Sequence, residues 1–365
     1  MKINIFNNLI IMADLTEKDL ENIKMHKYAH TGYTTLDKKM NPFWEKCASF
    51  LPKAYTPNMV TVTGLFCQIL SIIVISCFDL TFSKQLPSII YIFSAFMLFM
   101  AQTLDAIDGK HARNTKRSSS LGQLMDHGCD SMDNFLFCIV ICQAFLFGNS
   151  IQTLLVQILI QIPFYAYTIE ENFTKKLRTQ INDIGVTEYQ FFSMGLLIVS
   201  AIFGKSLINL EINGIRLSFI ILYIVFASSI LFTFYLIIID SKELNIPIKK
   251  FSPLLAMIVF AIAELFSYKL EFYHSKPLLM VLLNGMYFSL FTCRLIIANM
   301  ADKVAGIFDI DIFIYVVGIS TCLIVGSKIV EMYVLIGLLI YLVYRYFRQI
   351  IYAIFKMMKF LNIGF

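Results

Sequence analysis

Four aspartates stand out by type and spacing: Asp105 and Asp108, three residues apart, then Asp126 and Asp130, four apart. Residues three or four apart share a helix face, so each pair projects two carboxylates together. Two facing pairs at one depth would make a cage of oxygen ligands. Hard divalent cations such as Mg2+ or Mn2+ take such ligands. Without metal, four acids so close would repel one another. Four carboxylates can bridge two ions, and a pair of ions can clamp a reacting phosphate. Any one of these acids alone would read as a solvated residue at the end of an apolar stretch. The four together, with Gly109, Arg113 and Gly122 between them, do not.

His127 adds a group that can take a proton near neutral pH. On an ideal helix it lies about 60° around the axis from Asp130. His127 is thus one candidate general base. Asp133, one turn further on, would support the metal ligands or an amide.

The positioning elements follow from the flanking sequence. Residues 88–104 carry no charge and form the body of an apolar helix. Asp105 and Asp108 come at its end, where the macrodipole disfavours carboxylates unless a cation compensates. Gly109 suits a helix stop. Ser119 or Ser120 suits the cap of the next helix, which carries Asp126 and Asp130.

The chain around these residues is built for lipid. Of 365 residues, 58% are hydrophobic and 15% charged, with mean hydropathy +0.71. A soluble globular chain is about a quarter charged, so a soluble domain of any size is excluded. A membrane span needs about 20 mostly apolar residues. Apolar stretches run over 59–80, 88–108, 123–148, 151–172, 187–204, 216–240, 251–271, 277–299, 308–327 and 329–351. The expected fold is an all-α polytopic membrane protein with about ten transmembrane helices. Residues 1–57 would form a cytosolic N-terminal segment with an interfacial helix, anchored by Trp44, the single tryptophan. Residues 58–240 would form a six-helix catalytic membrane core, 241–351 four further helices, and 352–365 a basic cytosolic tail.

Basic loops set the orientation. Lys110, Arg113, Lys116 and Arg117, then Lys175, Lys176 and Arg178, then Lys242, Lys249 and Lys250 all fall between alternate stretches. The positive-inside rule places these loops, and with ten spans both termini, in the cytosol. The net charge of +5 is compatible with anionic lipid or substrate without identifying either. The eight cysteines form no C-x-x-C pair and read as small apolar residues. The stretch 3–11 is short, contains three asparagines and lacks a small-residue cleavage site, so no cleavable signal peptide is expected.

The pattern D-x-x-D-G-x-x-A-R, eight residues, then G-x-x-x-D-x-x-x-D is complete at Asp105, Asp108, Gly109, Ala112, Arg113, Gly122, Asp126 and Asp130. It resembles the CDP-alcohol phosphotransferase family. Phe43-Trp44, Pro57-Asn58 with Thr61 and Gly64, the Asp-His-Gly-Cys-Asp-Ser phrase, Gly185-Val186-Thr187-Glu188 and Arg294-Leu295-Ile296-Ile297-Ala298 resemble its eukaryotic choline/ethanolamine branch. Departures fall at Tyr167-Thr168-Ile169-Glu170-Glu171, where the branch has tryptophan, at Asn299 in place of a histidine, and at His111 in place of a glutamine.

The resemblance implies transfer of phosphocholine or phosphoethanolamine from CDP-choline or CDP-ethanolamine to diacylglycerol, giving phospholipid and CMP. It implies that Asp105, Asp108, Asp126 and Asp130 hold two Mg2+ or Mn2+ ions, and that Asp130 is the other candidate general base. Gly109 and Gly122 would leave room beside the nucleotide, Arg113 would pair with phosphate, and Lys110, Ala112 and Asn58 would line the donor site. It also implies a membrane of the endoplasmic reticulum or Golgi, a site facing the cytosol, and homodimers, which the family often forms. The alternatives are a different CDP-alcohol or acceptor, or a cation-coupled transporter. Glu188 would serve the base or cap its helix. Arg294 would bind lipid or phosphate, or pair with a buried acid such as Glu264.

Overall fold

The computed structural model describes residues 15–26, 32–176, 180–181, 184–204, 206, 210–243, 245, 247–303 and 309–364. The stretch 3–11 and Arg178 lie outside them. The chain is helical: α1 Glu17–Met25, α2 Thr35–Phe50, α3 Pro57–Phe78, α4 Ser88–Thr115, α5 Ser120–Phe145, α6 Ile151–Thr174 and α7 Val186–Phe203 come first. Then follow α8 Leu217–Glu243, α9 Pro253–Phe266, α10 Glu271–Ser275, α11 Pro277–Met300, α12 Ile310–Val325, α13 Lys328–Arg345 and α14 Tyr352–Leu361. Two short antiparallel ladders, Gln180–Ile181 with Ile184–Gly185 and Glu211–Ile212 with Ile215–Arg216, precede α7 and α8.

Among the described residues, seven helices are long and apolar enough to cross a membrane. They are α3, α4, α6, α7, α8, α11 and the continuous run from Lys328 to Leu361. The expected count of about ten is thus corrected. Helices form in all ten apolar stretches, but three are not both long and apolar enough. Helix α5 carries Asp126, Asp130 and Asp133 along its length. Helices α9 and α12 have 14 and 16 residues, about 21 and 24 Å long against a hydrocarbon core of about 30 Å. The last helix also runs on past residue 351 through a π-helical turn, Tyr346–Ile351.

Local sequence explains the ends that matter for the site. Thr56 caps α3, its side chain accepting from the Met59 amide at 3.3 Å, and Pro57 takes the first helical turn. Ser119 caps α5 by accepting from the Gly122 amide at 3.1 Å. Helix α4 does not stop at Gly109. It continues to Thr115 and ends at Lys116 in the left-handed region, φ 57°. The segment Lys110–Thr115 contains no breaker, and His111, buried, holds the Tyr55 carbonyl at 2.7 Å. Tertiary contact therefore extends the helix past a glycine.

Helices α3 and α4 pack antiparallel, with Gly64 against the Ala101 carbonyl and Leu104. Helix α11 runs through the centre, with Leu278, Val281, Tyr287, Phe288 and Leu290 fully buried. It approaches α5 closely because Gly285 has no side chain: a Cβ there would lie 2.1 Å from Phe135 Cγ. Trp44 is also buried, at 3% exposure, against Val60, Leu104 and Ile107. It locks α2 onto α3 and α4, and Phe43 and Phe50 are the ones exposed.

Arg294 pairs with buried acids, one of its expected roles, but with acids other than Glu264. Its Nη1 donates to Asp309 at 2.9 and 3.0 Å and also to Asp311, rather than meeting Glu264. Arg345 and Tyr341 complete the Asp311 shell, at 3.0 and 2.7 Å. Glu264 instead accepts from Gln161 at 3.2 Å. A buried arginine needs full compensation, and the turn leading into α12 supplies two acids for it.

Candidate functional site

The site lies where α3, α4 and α5 meet. Asp105, Asp108 and Asp126 each offer a carboxylate oxygen, and these oxygens lie within 4.8 Å of one another. Asp108 is buried, Asp126 half-buried and Asp105 exposed, so the cluster opens on the Asp105 side. The Thr61 hydroxyl donates to Asp108 Oδ2 from α3. Asp130 stands one turn beyond Asp126, outside this close group but within electrostatic reach of Asp105 and Asp108.

Three acidic oxygens at this separation repel strongly unless a cation or protons intervene. The donor set is all hard oxygen, one ligand is pinned by a neutral hydroxyl, and one side is open. These features fit a divalent cation of the Mg2+ or Mn2+ kind.

The remaining candidates divide into two groups. Asn58 is buried, with its Oδ1 3.7 Å from where a Gly122 Cβ would stand, so the starts of α3 and α5 face each other. Arg113 is exposed, its Nη1 3.5 Å from a Cβ built on Gly109, in charge contact with Asp108. Ala112 is half-buried beside it. Lys110 is turned away and donates to Asn41 of α2. Glu188 caps α7, accepting from the Gly185 amide at 2.7 Å.

His127 lies on a different face of α5. Gln123, His127, Ser131 and Asn134 form one stripe toward α6 and α11. Gln123 donates to Glu171 at 2.9 Å, Ser131 meets Ser289 at 2.6 Å, and Asn134 donates to the Ile160 carbonyl at 3.2 Å. His127 is 3% exposed, with Nε2 4.0 Å from Asp126 Oδ2. It therefore borders the carboxylates from behind.

Thr61 and Gln68 belong to the site, yet neither role emerges from the aspartate pattern. The signal available was the stripe Asn58, Thr61, Gly64, Gln68, Ser71 on α3, polar or small at helical spacing inside an apolar span. Asp133 lies beside the Gln68 side chain.

Fold and site together define an all-α, multi-spanning membrane protein with an acidic cluster at the end of one helix pair. The family described as CDP-alcohol phosphatidyltransferase matches residues 54–230. Cholinephosphotransferase 1 of Gallus gallus is 32% identical over 213 residues, 58% of this chain and 63% of that protein. Cholinephosphotransferase 1 of Saccharomyces cerevisiae is 35% identical over 164 residues, 45% of this chain and 42% of the relative. Choline/ethanolaminephosphotransferase 2 of Arabidopsis thaliana is 26% identical over 307 residues, 78% of each. The chain belongs to the CDP-alcohol phosphotransferase family, in its eukaryotic choline/ethanolamine phosphotransferase branch. The matched stretch spans less than two thirds of the chicken and yeast relatives.

Proposed function

We propose that this protein transfers phosphocholine or phosphoethanolamine from CDP-choline or CDP-ethanolamine to diacylglycerol, forming phosphatidylcholine or phosphatidylethanolamine and CMP. The observation that carries this reading is the convergence of Asp105, Asp108 and Asp126 at an opening lined by the rest of the family pattern.

Asp105, Asp108, Asp126 and Asp130 would hold two Mg2+ or Mn2+ ions. Such ions supply charge neutralisation for a pyrophosphate and its transition state. The chain's own residues do the rest. Arg113, exposed beside the cluster, pairs with phosphate. Asn58, Gly109, Ala112 and Gly122 line the nucleotide, the glycines leaving space where side chains would stand. Lys110, tied to Asn41, steadies α2 against α4. The acceptor hydroxyl oxygen bonds to the β-phosphorus, the bond from phosphorus to CMP breaks, and the hydroxyl proton leaves to a base. His127 takes that role in this reading because its Nε2 borders Asp126. Asp130, on the carboxylate face, is the alternative.

The cluster lies at the end of α4 that carries Lys116 and Arg117, which the positive-inside rule assigns to the cytosol. The proposed setting is a membrane of the endoplasmic reticulum or Golgi, with homodimers as the family resemblance implies. Membranes carrying the protein, given labelled CDP-choline or CDP-ethanolamine and diacylglycerol, should yield phospholipid and CMP. Failure with both nucleotides would overturn the reading and point to another CDP-alcohol.

A further inference from the structure

The carboxylate cluster does not exhaust the polar interior of α3, α4 and α5. Beyond it, away from the basic end, each of the three facing stripes keeps buried polar side chains among its apolar ones. On α4, Ser94, Leu98, Ala101 and Gln102 all lie within about 60° of Asp105 around the helix. On α3 the stripe continues through Gln68 and Ser71, and on α5 through Asp133. Gln68 is ten residues beyond Asn58, about 15 Å along the axis. Gln68, Ser71, Ser94 and Gln102 are each 2% exposed or less.

Polar groups held this far inside a membrane bundle are costly unless paired. Here they are not paired. The Gln68 side chain faces the Asp133 carboxylate. Yet Gln68 Nε2 and Asp133 Oδ1 find no hydrogen-bond partner among the described residues, and neither do Ser71 Oγ, Ser94 Oγ or Gln102 Oε1. An unused donor thus stands beside an unused acceptor. A hydroxyl group complements that pair, since its oxygen accepts from an amide while its hydrogen goes to a carboxylate.

Two substrates must reach the cluster from different solvents. The donor nucleotide is anionic and water-soluble, and the opening at Asp105 and Arg113 serves it. The acceptor is a lipid alcohol and comes from the bilayer, so its hydroxyl has to be held by groups on the far side of the cluster from the basic end. We propose that Gln68 and Asp133 form the subsite that receives the acceptor's free hydroxyl and sets it below the carboxylate cluster. The proposal rests on the transfer reaction argued above and names the two residues that position its lipid substrate. They are positioning residues: Asp130, one turn nearer the nucleotide, lies between them and the cluster.

The test uses the full chain purified in detergent. Asp133→Leu and Gln68→Leu are near-isosteric and suit a membrane helix. Each should raise KM for diacylglycerol, by about 10-fold or more for the charged partner and several-fold for the amide. KM for the CDP-alcohol should stay within about twofold. Asp133→Asn, which keeps an acceptor oxygen, should restore most of the loss. Equal changes in both KM values, or none, would overturn the proposal.

A binding measurement separates this from the transfer reaction itself. 1,2-Dioctanoylglycerol has a free hydroxyl and trioctanoylglycerol has none. The first should raise the melting temperature of the unaltered protein more than the second, and both leucine variants should abolish that difference. If the two lipids act alike, the pair holds only water and the proposal falls. If the hydroxyl preference holds while no CDP-alcohol is consumed, the subsite stands and the transfer reading fails.

Discussion

Thr61 on α3 donates its hydroxyl hydrogen to Asp108 on α4, joining two neighbouring helices at a carboxylate that has almost no contact with solvent. A neutral donor at this place fixes one oxygen of Asp108 and leaves the other for a cation. Thr61→Val keeps the shape and removes the bond. By the usual effect of losing a ligand's supporting hydrogen bond, metal affinity should fall about 10- to 100-fold. Titrating CMP release against Mn2+ would show it as a shifted midpoint with a similar plateau.

Asp126 supplies one of the three close oxygens. Asp126→Ala should lower transfer by more than the roughly 100-fold expected for a supporting residue. It should also relieve repulsion among the acids, so the metal-free variant should melt higher than the metal-free parent. Thermal unfolding with and without chelator checks both points. A variant with full activity would contradict the cage.

His127 is enclosed, so packing and catalysis both have a claim on it. As a base it should contribute to turnover, with losses of about 100- to 10,000-fold in kcat for His127→Ala. KM for the CDP-alcohol should change little. Proportionate losses in kcat and affinity, with a lowered melting temperature, would mark it as structural.

Helix α1 is fastened to the end of α11 by Asp19, whose Oδ2 meets Lys303 Nζ at 2.7 Å. Asn22 adds a bond to the Ala301 carbonyl at 3.0 Å. Burial pushes the Asp19 carboxyl up, but Lys303 and the Thr16 cap outweigh it and hold it below its ordinary value of 3.8. A depressed folded value means the latch is fully effective above the ordinary carboxylate range. It is lost as pH falls through the folded value. Hydrogen exchange should show α1 protected at neutral pH and released in strong acid. Asp19→Asn should loosen it at every pH.

The sequence disclosed the aspartates because their spacing is local, and the Ser119 cap for the same reason. It also marked all ten apolar stretches. Whether each is long enough to span depended on where helices end, and α9 and α12 end early. Partners across the fold were less legible. Arg294 could have met any buried acid, and its choice of Asp309 and Asp311 depends on where the start of α12 packs against α11. Trp44 has the composition of an interfacial anchor, yet its ring packs among Val60, Leu104 and Ile107 of α3 and α4. Gly109 has the propensity of a helix stop, but the bond from His111 to the Tyr55 carbonyl lies beyond it and α4 runs on to Thr115.

The latch between Asp19 and Lys303 joins residues 284 positions apart. At ribosomal speeds of about 5–20 residues per second, roughly 15–60 s separate the making of its two halves. Leu20 and Ile23, buried in the finished protein, must wait through that interval without the surface they eventually cover. Helix α1 is therefore among the last elements to dock, and it docks only once the end of α11 has been made.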